Sequence, residues 1–249
     1  MSEQEDDMPP VLAAAWGLRG RAGKGPRPGL TLERIVAAGV KVAATAGLGA
    51  VSMARVAGEL GASTMSLYRY VTAKEELLDL MVDAAIGQPP PLDPDTHWRA
   101  GLHRFAHDYL DLLRRQPWMV RVPINNPPLT PNQIAWMNYG LAILRDTALR
   151  HHERLSTIMV ISGLTRNWVL LTADITAAAQ AGGGTTEQAM AGYGRLLRRL
   201  VDPARFPAIG ELIASGALDR PDEVPDDDFE FGLARLFDGL DALMAGRTG

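Results

Sequence analysis

Six side chains between residues 64 and 70 have the types and spacing to handle a polyanion. Thr64, Met65, Ser66, Tyr68, Arg69 and Tyr70 surround one inward leucine, Leu67, in a short run of helical character. That pattern turns hydroxyls, an aromatic pair and a guanidinium outward together. Such a face suits phosphate oxygens and base edges. Packing roles for Tyr68 and Tyr70 are the bland alternative, and both readings stay open on sequence alone.

The flanking residues read as a helix-turn-helix. Ser52, Ser63 and Thr72 each stand just before a helical run, where a side-chain oxygen can accept from an orphan amide. Gly61 can take the positive φ that ends one helix sharply, and Ser63 starts the next within two residues. Ala57 lets the two helices approach, and Val56, Leu60 and Leu67 seal the contact. An earlier helix is predicted after Thr31, with Leu32, Ile35, Val36, Gly39, Val42, Ala43 and Ala46 as its apolar stripe. Thr72-Ala-Lys-Glu75 reads as a capping box opening a further helix through Leu77, Leu78, Met81 and Ala85. That helix is apolar on two sides and can carry strain from one domain to the next.

Charge separates along the 249 residues. Residues 11–75 hold nine basic side chains against three acidic ones, a net +6 that leaves −10 for the rest of a chain of net charge −4. A basic head on an acidic body suits a protein that presents one end to nucleic acid. The absence of cysteine excludes disulfides, thiol catalysis and Cys-based zinc sites, and fits a cytoplasmic location. The acidic N-terminus, with Glu3, Glu5, Asp6 and Asp7, is the reverse of a secretory signal.

Three segments are expected. Residues 1–29 form a flexible basic N-terminal arm, irregular through Pro9-Pro10 and repeated glycine, with Arg19, Arg21, Lys24 and Arg27 as its cations. The arm can follow a phosphate backbone or serve as a solvated linker. Residues 30–87 form the helix-turn-helix domain. After a Pro-rich boundary at 87–95, residues 93–246 form a larger helical domain. Its helices are expected after the boundary with Trp98, Leu102, Phe105, Tyr109 and Leu112 on one face and a stop at Gln116-Pro117, at 131–149 with Thr130 as cap, and at 155–181, 186–201, 205–215 and 227–245. Ser156, Thr157, Ser162, Thr165, Asn167, Thr172 and Thr176 interrupt the 155–181 helix too often for a membrane span. No strand-period segment stands out, so the fold class is all-α.

Residues 30–87 resemble the DNA-binding domain of the TetR family of bacterial transcriptional regulators. The resemblance rests on Leu67-Tyr68-Arg69-Tyr70-Val71 followed by Lys74-Glu75-Glu76-Leu77-Leu78. Residues 95–245 resemble, more loosely, the ligand-binding and dimerisation domain of its tetracycline-repressor-like branch. The family resemblance implies DNA contacts from Thr64, Met65, Ser66, Arg69 and Tyr70, and phosphate contacts from Tyr68 and Lys74. It also places Ser52 and Arg55 at the DNA side of the preceding helix, where Ala54 replaces a base-reading arginine of some members. Arg69 can pair bidentately with guanine, worth roughly 1–3 kcal/mol of discrimination, and Met65 can meet a thymine methyl. Lys74 as a solvated neighbour of the cap remains the alternative.

Other constellations are weaker. His103 and His107 share one helix face at a chelating spacing, but no His-Glu-x-x-His pattern or third ligand accompanies them, so no metal and no cofactor are expected. Asp108 and Asp111 have the character of solvated-face carboxylates. The histidine-and-carboxylate set that holds magnesium–tetracycline in the namesake repressors has no evident counterpart. Nucleophile elbow, phosphate loop and dinucleotide fingerprint are all missing, and no catalytic residue is expected. Tyr109, Trp118, Met119, Trp136, Met137, Tyr139, Asn167, Trp168 and Met190 are the candidates to line a ligand cavity, with plain core packing as their alternative.

The sequence thus predicts a ligand-responsive repressor that binds a near-palindromic operator in double-stranded DNA. It would act as a homodimer through the 155–181 and 227–245 helices, with no membrane partner, and be released by a small, largely apolar effector. The rivals are a constitutive DNA binder and a helical ligand carrier or enzyme with a vestigial head.

Overall fold

The computed structural model describes residues 8–18, 29–219 and 226–248, and every regular element among them is helical. They fall into two units, one ending at Gly163 and the other beginning at Leu164.

The first unit opens with α1 (Pro10–Ala15), which corrects the expectation of an irregular N-terminus. Pro10 occupies the first helical turn, where its missing N–H is not needed, and an alanine run follows. Val11 is buried, and Trp16 packs far from its sequence neighbours: its indole N–H donates to the Leu129 carbonyl at 2.8 Å. The cationic run from Arg19 to Arg27 lies outside the described residues.

Next, α2 (Leu32–Ala46) buries Ile35, Val36, Val42 and Ala43, with the Thr31 side chain accepting from the Arg34 amide. It packs on α5 (Lys74–Ile86) at Gly39, where an added Cβ would stand 2.6 Å from the Met81 sulfur. Between them lie α3 (Met53–Glu59) and α4 (Thr64–Leu67). Gly61 takes φ +62° at their turn, as the short connection requires. Val56, Ala57 and Leu67 are buried at the crossing, with Leu60 half-buried. Regular α4 is shorter than expected, and a turn carries the chain on, with the Tyr70 and Val71 amides both donating to the Leu67 carbonyl.

The expected capping box is out of register. Ala73 is the N-cap of α5 and makes no side-chain cap. Glu76, not Glu75, therefore occupies the third helical position, and its carboxylate accepts from the Thr72 amide at 2.7 Å.

The unit continues with α6 (Trp98–Arg115), a 3-10 turn at Pro117–Arg121, and α7 (Pro131–Ile143). The turn touches α2 and the Leu48–Ala50 turn, while α7 packs on α5 and α6. Here α7 stops at Ile143 rather than running to 149. The following helix, α8 (His151–Ala181), starts at His151, so His151 and His152 are exposed residues of its first turn instead of loop residues.

The second unit holds the rest of α8, α9 (Thr186–Leu200), α10 (Pro207–Ala214) and α11 (Asp227–Thr248). Thr185 and Gln188 form a reciprocal capping box at α9. Phe229, Leu233 and Phe237 bury one stripe of α11.

Candidate nucleic-acid interface

Local capping builds the reading face. The Ser52 hydroxyl accepts from the Arg55 amide at 3.2 Å and fixes the start of α3. The Ser63 hydroxyl accepts from the Ser66 amide at 3.3 Å and lies 2.8 Å from the Ser66 hydroxyl. These bonds satisfy amides that the first helical turn leaves orphaned. With Leu67 fully buried, Met65 is 74% exposed and Tyr68 43% exposed. Arg55 and Arg69 are exposed as well, while Thr64, Ser66 and Lys74 are half-buried. An exposed thioether, phenol and guanidinium on adjacent turns can meet base edges and phosphates without first breaking a bond within the head.

Tyr70 behaves differently from its neighbours. It is half-buried, and its hydroxyl donates to the Leu30 carbonyl at 2.8 Å, tying the end of the turn to the residues before α2. Across the head, Lys41 on α2 pairs with Glu59 on α3, which holds the Glu59 carboxyl below its ordinary range.

Behind the reading face, α5 is clamped to α7. Asp83 is buried, and one carboxylate oxygen accepts from the Asn132 amide at 2.8 Å and the Gln133 amide at 3.2 Å. The Asn132 side chain donates back to the Asp83 carbonyl at 2.9 Å. Asp83 thus caps α7 from another helix. Thr130, expected to be that cap, makes no side-chain cap bond, because the amides it would serve are already taken. One turn further along α7, the Trp136 indole donates to the Gly87 carbonyl at the end of α5, 3.0 Å away.

The same Trp136 belongs to an aromatic cluster. Its ring centroid lies 5.9 Å from Phe105, 5.7 Å from Tyr109 and 6.1 Å from Tyr139. Three of the ligand candidates, Tyr109, Trp136 and Tyr139, are therefore brought together, with Phe105, which was not among the candidates, as a fourth ring. Trp118 and Met119 are buried in the 3-10 turn, and the Trp118 indole donates to the Gln116 side chain. Met137 is half-buried on α7.

Asp108 also departs from expectation. Its Oδ2 is sealed from solvent without a hydrogen-bond partner, as is the Tyr139 hydroxyl. Burial pushes the Asp108 carboxyl up, helped by Asp111 and opposed by Arg104, His107 and Arg115. Burial and the nearby Asp108 charge push the Tyr139 phenol up, against Arg104.

In the second unit, Trp168 is half-buried, stacks on Phe229 with centroids 6.2 Å apart and donates to the Asp226 carboxylate at 2.8 Å. Asn167 and Met190 are exposed. His103 and His107 lie one turn apart on α6, with ring centroids 4.4 Å apart and the rings tilted by 36°.

Comparison with known proteins agrees with this geometry. Residues 35–81 match the family model described as bacterial regulatory proteins, tetR family, and residues 90–244 match the tetracyclin repressor-like C-terminal domain. The HTH-type transcriptional repressor DrrR1 of Streptomyces coeruleorubidus is 37% identical over 247 residues, covering 98% of this chain and 89% of that protein. Apo ActR of Streptomyces coelicolor superposes with a TM-score of 0.71 at 25% identity, covering 90% of this chain and all of that one. ActR in complex with actinorhodin gives 0.71 at 26% identity, with 88% and 98% covered.

Proposed function

The chain belongs to the TetR family of bacterial transcriptional regulators, and from that premise we propose that it is a cytoplasmic, homodimeric repressor released from DNA by a small, largely apolar effector. Each subunit places α4 in a major groove. Two-fold symmetry then calls for a near-palindromic operator with half-sites about 34 Å apart, one helical turn, or somewhat more. Ser52, Arg55, Thr64, Met65, Ser66, Tyr68, Arg69 and Lys74 contact the duplex, and Tyr70 supports them from within the head.

The dimer is held by α8 and α11. On α8, Leu155, Met159, Val160 and Leu171 are exposed, as are Phe231 and Leu243 on α11. Apolar side chains at these positions are what a second copy would cover. By length and composition α8 also reaches the apolarity of a membrane span, and a partner subunit accounts for that character in a DNA-binding protein.

The observation that carries the proposal is the double role of Trp136. It sits in the aromatic cluster and holds the end of α5 through Gly87. An effector that reshapes the cluster pulls on the helix that supports the reading head. Two relatives support this division of labour: DrrR1 is named a repressor, and ActR is solved with actinorhodin bound. By linkage, the effector weakens DNA binding only as far as DNA weakens effector binding.

The test is titration of the full chain with duplexes selected from random DNA at two salt concentrations, followed by challenge with small aromatic compounds. The expected result is a salt-sensitive, sequence-specific complex that a compound releases. A complex that no compound releases identifies a constitutive binder. Absence of specific, salt-sensitive binding identifies a ligand carrier with a vestigial head.

A further inference from the structure

One ring of the aromatic cluster, Tyr139, and the carboxylate next to another, Asp108 beside Tyr109, each carry a polar atom that the chain does not use, and the Asp108 charge is felt at Tyr139. Asp108 Oδ2 and the Tyr139 hydroxyl are both sealed from solvent, and neither has a hydrogen-bond partner among the described residues. Tyr139 as a whole is only 4% exposed. Native proteins leave few such atoms, because each forfeits its bonds to water without replacement. Phenylalanine would fill the Tyr139 position without that cost, and asparagine or alanine would spare the Asp108 charge.

The surroundings say what would satisfy them. Phe105, Tyr109, Trp136 and Tyr139 lie with ring centroids 5.7–6.5 Å apart on α6 and α7. Ring faces attract a flat apolar molecule, and they attract a cation more strongly than a neutral group. A carboxylate oxygen accepts only, and its strongest partner is a charged donor. An ammonium carries several N–H donors, enough to serve a carboxylate and also the phenol oxygen that feels its charge.

We infer that Asp108 and Tyr139 are the polar anchor of the effector site, and that the effector is an aromatic compound bearing a protonated amine. The inference rests on the effector-site reading above and names its ligand class. Since both atoms are sealed, the ligand reaches them only by parting the rings. Trp136 is one of those rings and is bonded to Gly87 at the end of α5. Recognition of the amine and displacement of the reading head are then a single event.

Three probes with the same ring system separate the possibilities: 9-(aminomethyl)anthracene, 9-anthracenemethanol and 9-anthracenecarboxylate. Each is titrated into the full chain by its own fluorescence, with wild type, Asp108→Asn and Tyr139→Phe. The expected result is binding of the amine about tenfold tighter than the alcohol, with the carboxylate weakest. Asp108→Asn is expected to erase the amine's advantage over the alcohol, and specific DNA binding retained by the variant shows that it is folded. Tyr139→Phe is expected to reduce the advantage in part. An alcohol that binds as tightly as the amine, or an advantage that survives Asp108→Asn, overturns the amine assignment and leaves the effector site standing. A carboxylate that binds tightest overturns it in favour of an anionic ligand. Failure of all three probes to bind overturns both the assignment and the aromatic cluster as the effector site.

Discussion

The Asp83 carboxylate accepts the Asn132 backbone amide at 2.8 Å, so the helix behind the reading head caps a later helix of the same unit across 49 positions of sequence. A buried carboxylate at a helix N-terminus meets both its orphan amides and the positive end of its dipole. Asp83→Ala leaves the Asn132 and Gln133 amides unpaired. The expected loss is about 2 kcal/mol of unfolding free energy, read from denaturant titration. A change within a few tenths of a kcal/mol would mean that the cap contributes nothing.

Trp136→Phe keeps an aromatic ring in the cluster and removes only the N–H that reaches Gly87. Operator affinity without effector is expected to stay within about threefold of wild type, since the reading face is untouched. Effector-driven release is expected to weaken, read as the ratio of operator affinities with and without a saturating compound. An unchanged ratio would move the coupling to another contact.

The reading head was legible because its determinants are local. Ser52 and Ser63 cap amides three residues away, and Gly61 has its positive φ at the one turn that needs it. The apolar stripe of α2 repeats at helical spacing, and Ile35, Val36, Val42 and Ala43 are buried as that spacing requires. The joint was not legible, because Asp83 and Asn132 are brought together only by tertiary packing. Thr130 has every local mark of a cap, yet a distant carboxylate took its amides. Asp108 was misread in part for the same reason: spacing on one helix cannot tell which carboxylate oxygen tertiary packing will seal. At the N-terminus, prolines and glycines hid a short alanine-rich helix, followed by Trp16, whose indole bonds a carbonyl more than a hundred positions away.

The proposed phosphate contacts would have an ionic signature. Tyr68→Phe combined with Lys74→Ala is expected to weaken binding on all duplexes alike. It should also flatten the slope of log affinity against log salt by about one, the loss of one cationic contact. Anisotropy titrations across a salt series give that slope, and an unaltered slope would remove Lys74 from the phosphate set.

Asp79 carries a pH dependence of known sign. Burial pushes its carboxyl above the ordinary 3.8, and Glu76 and Glu75 add to the shift. Above its folded pKa the group is ionised in both folded and unfolded chains, and only the folded chain bears the burial and repulsion. Below the unfolded value both forms are protonated and the difference vanishes. The contribution to stability is therefore lost as pH rises through the folded pKa. Asp79→Asn is expected to raise Tm near pH 7, with the gain fading near pH 3. A lower Tm at neutral pH would show that the carboxylate is stabilising.

The most direct measurement is selection of bound duplexes from random DNA by the full chain and by Arg69→Ala, in parallel. The account expects the wild type to enrich an inverted repeat with two-fold related half-sites. It expects Arg69→Ala to lose preference at one symmetric pair of positions, at roughly 1–3 kcal/mol per contact, and to keep the rest of the repeat. An unenriched pool, or a consensus that Arg69→Ala leaves unaltered, would contradict the placement of α4 in the major groove.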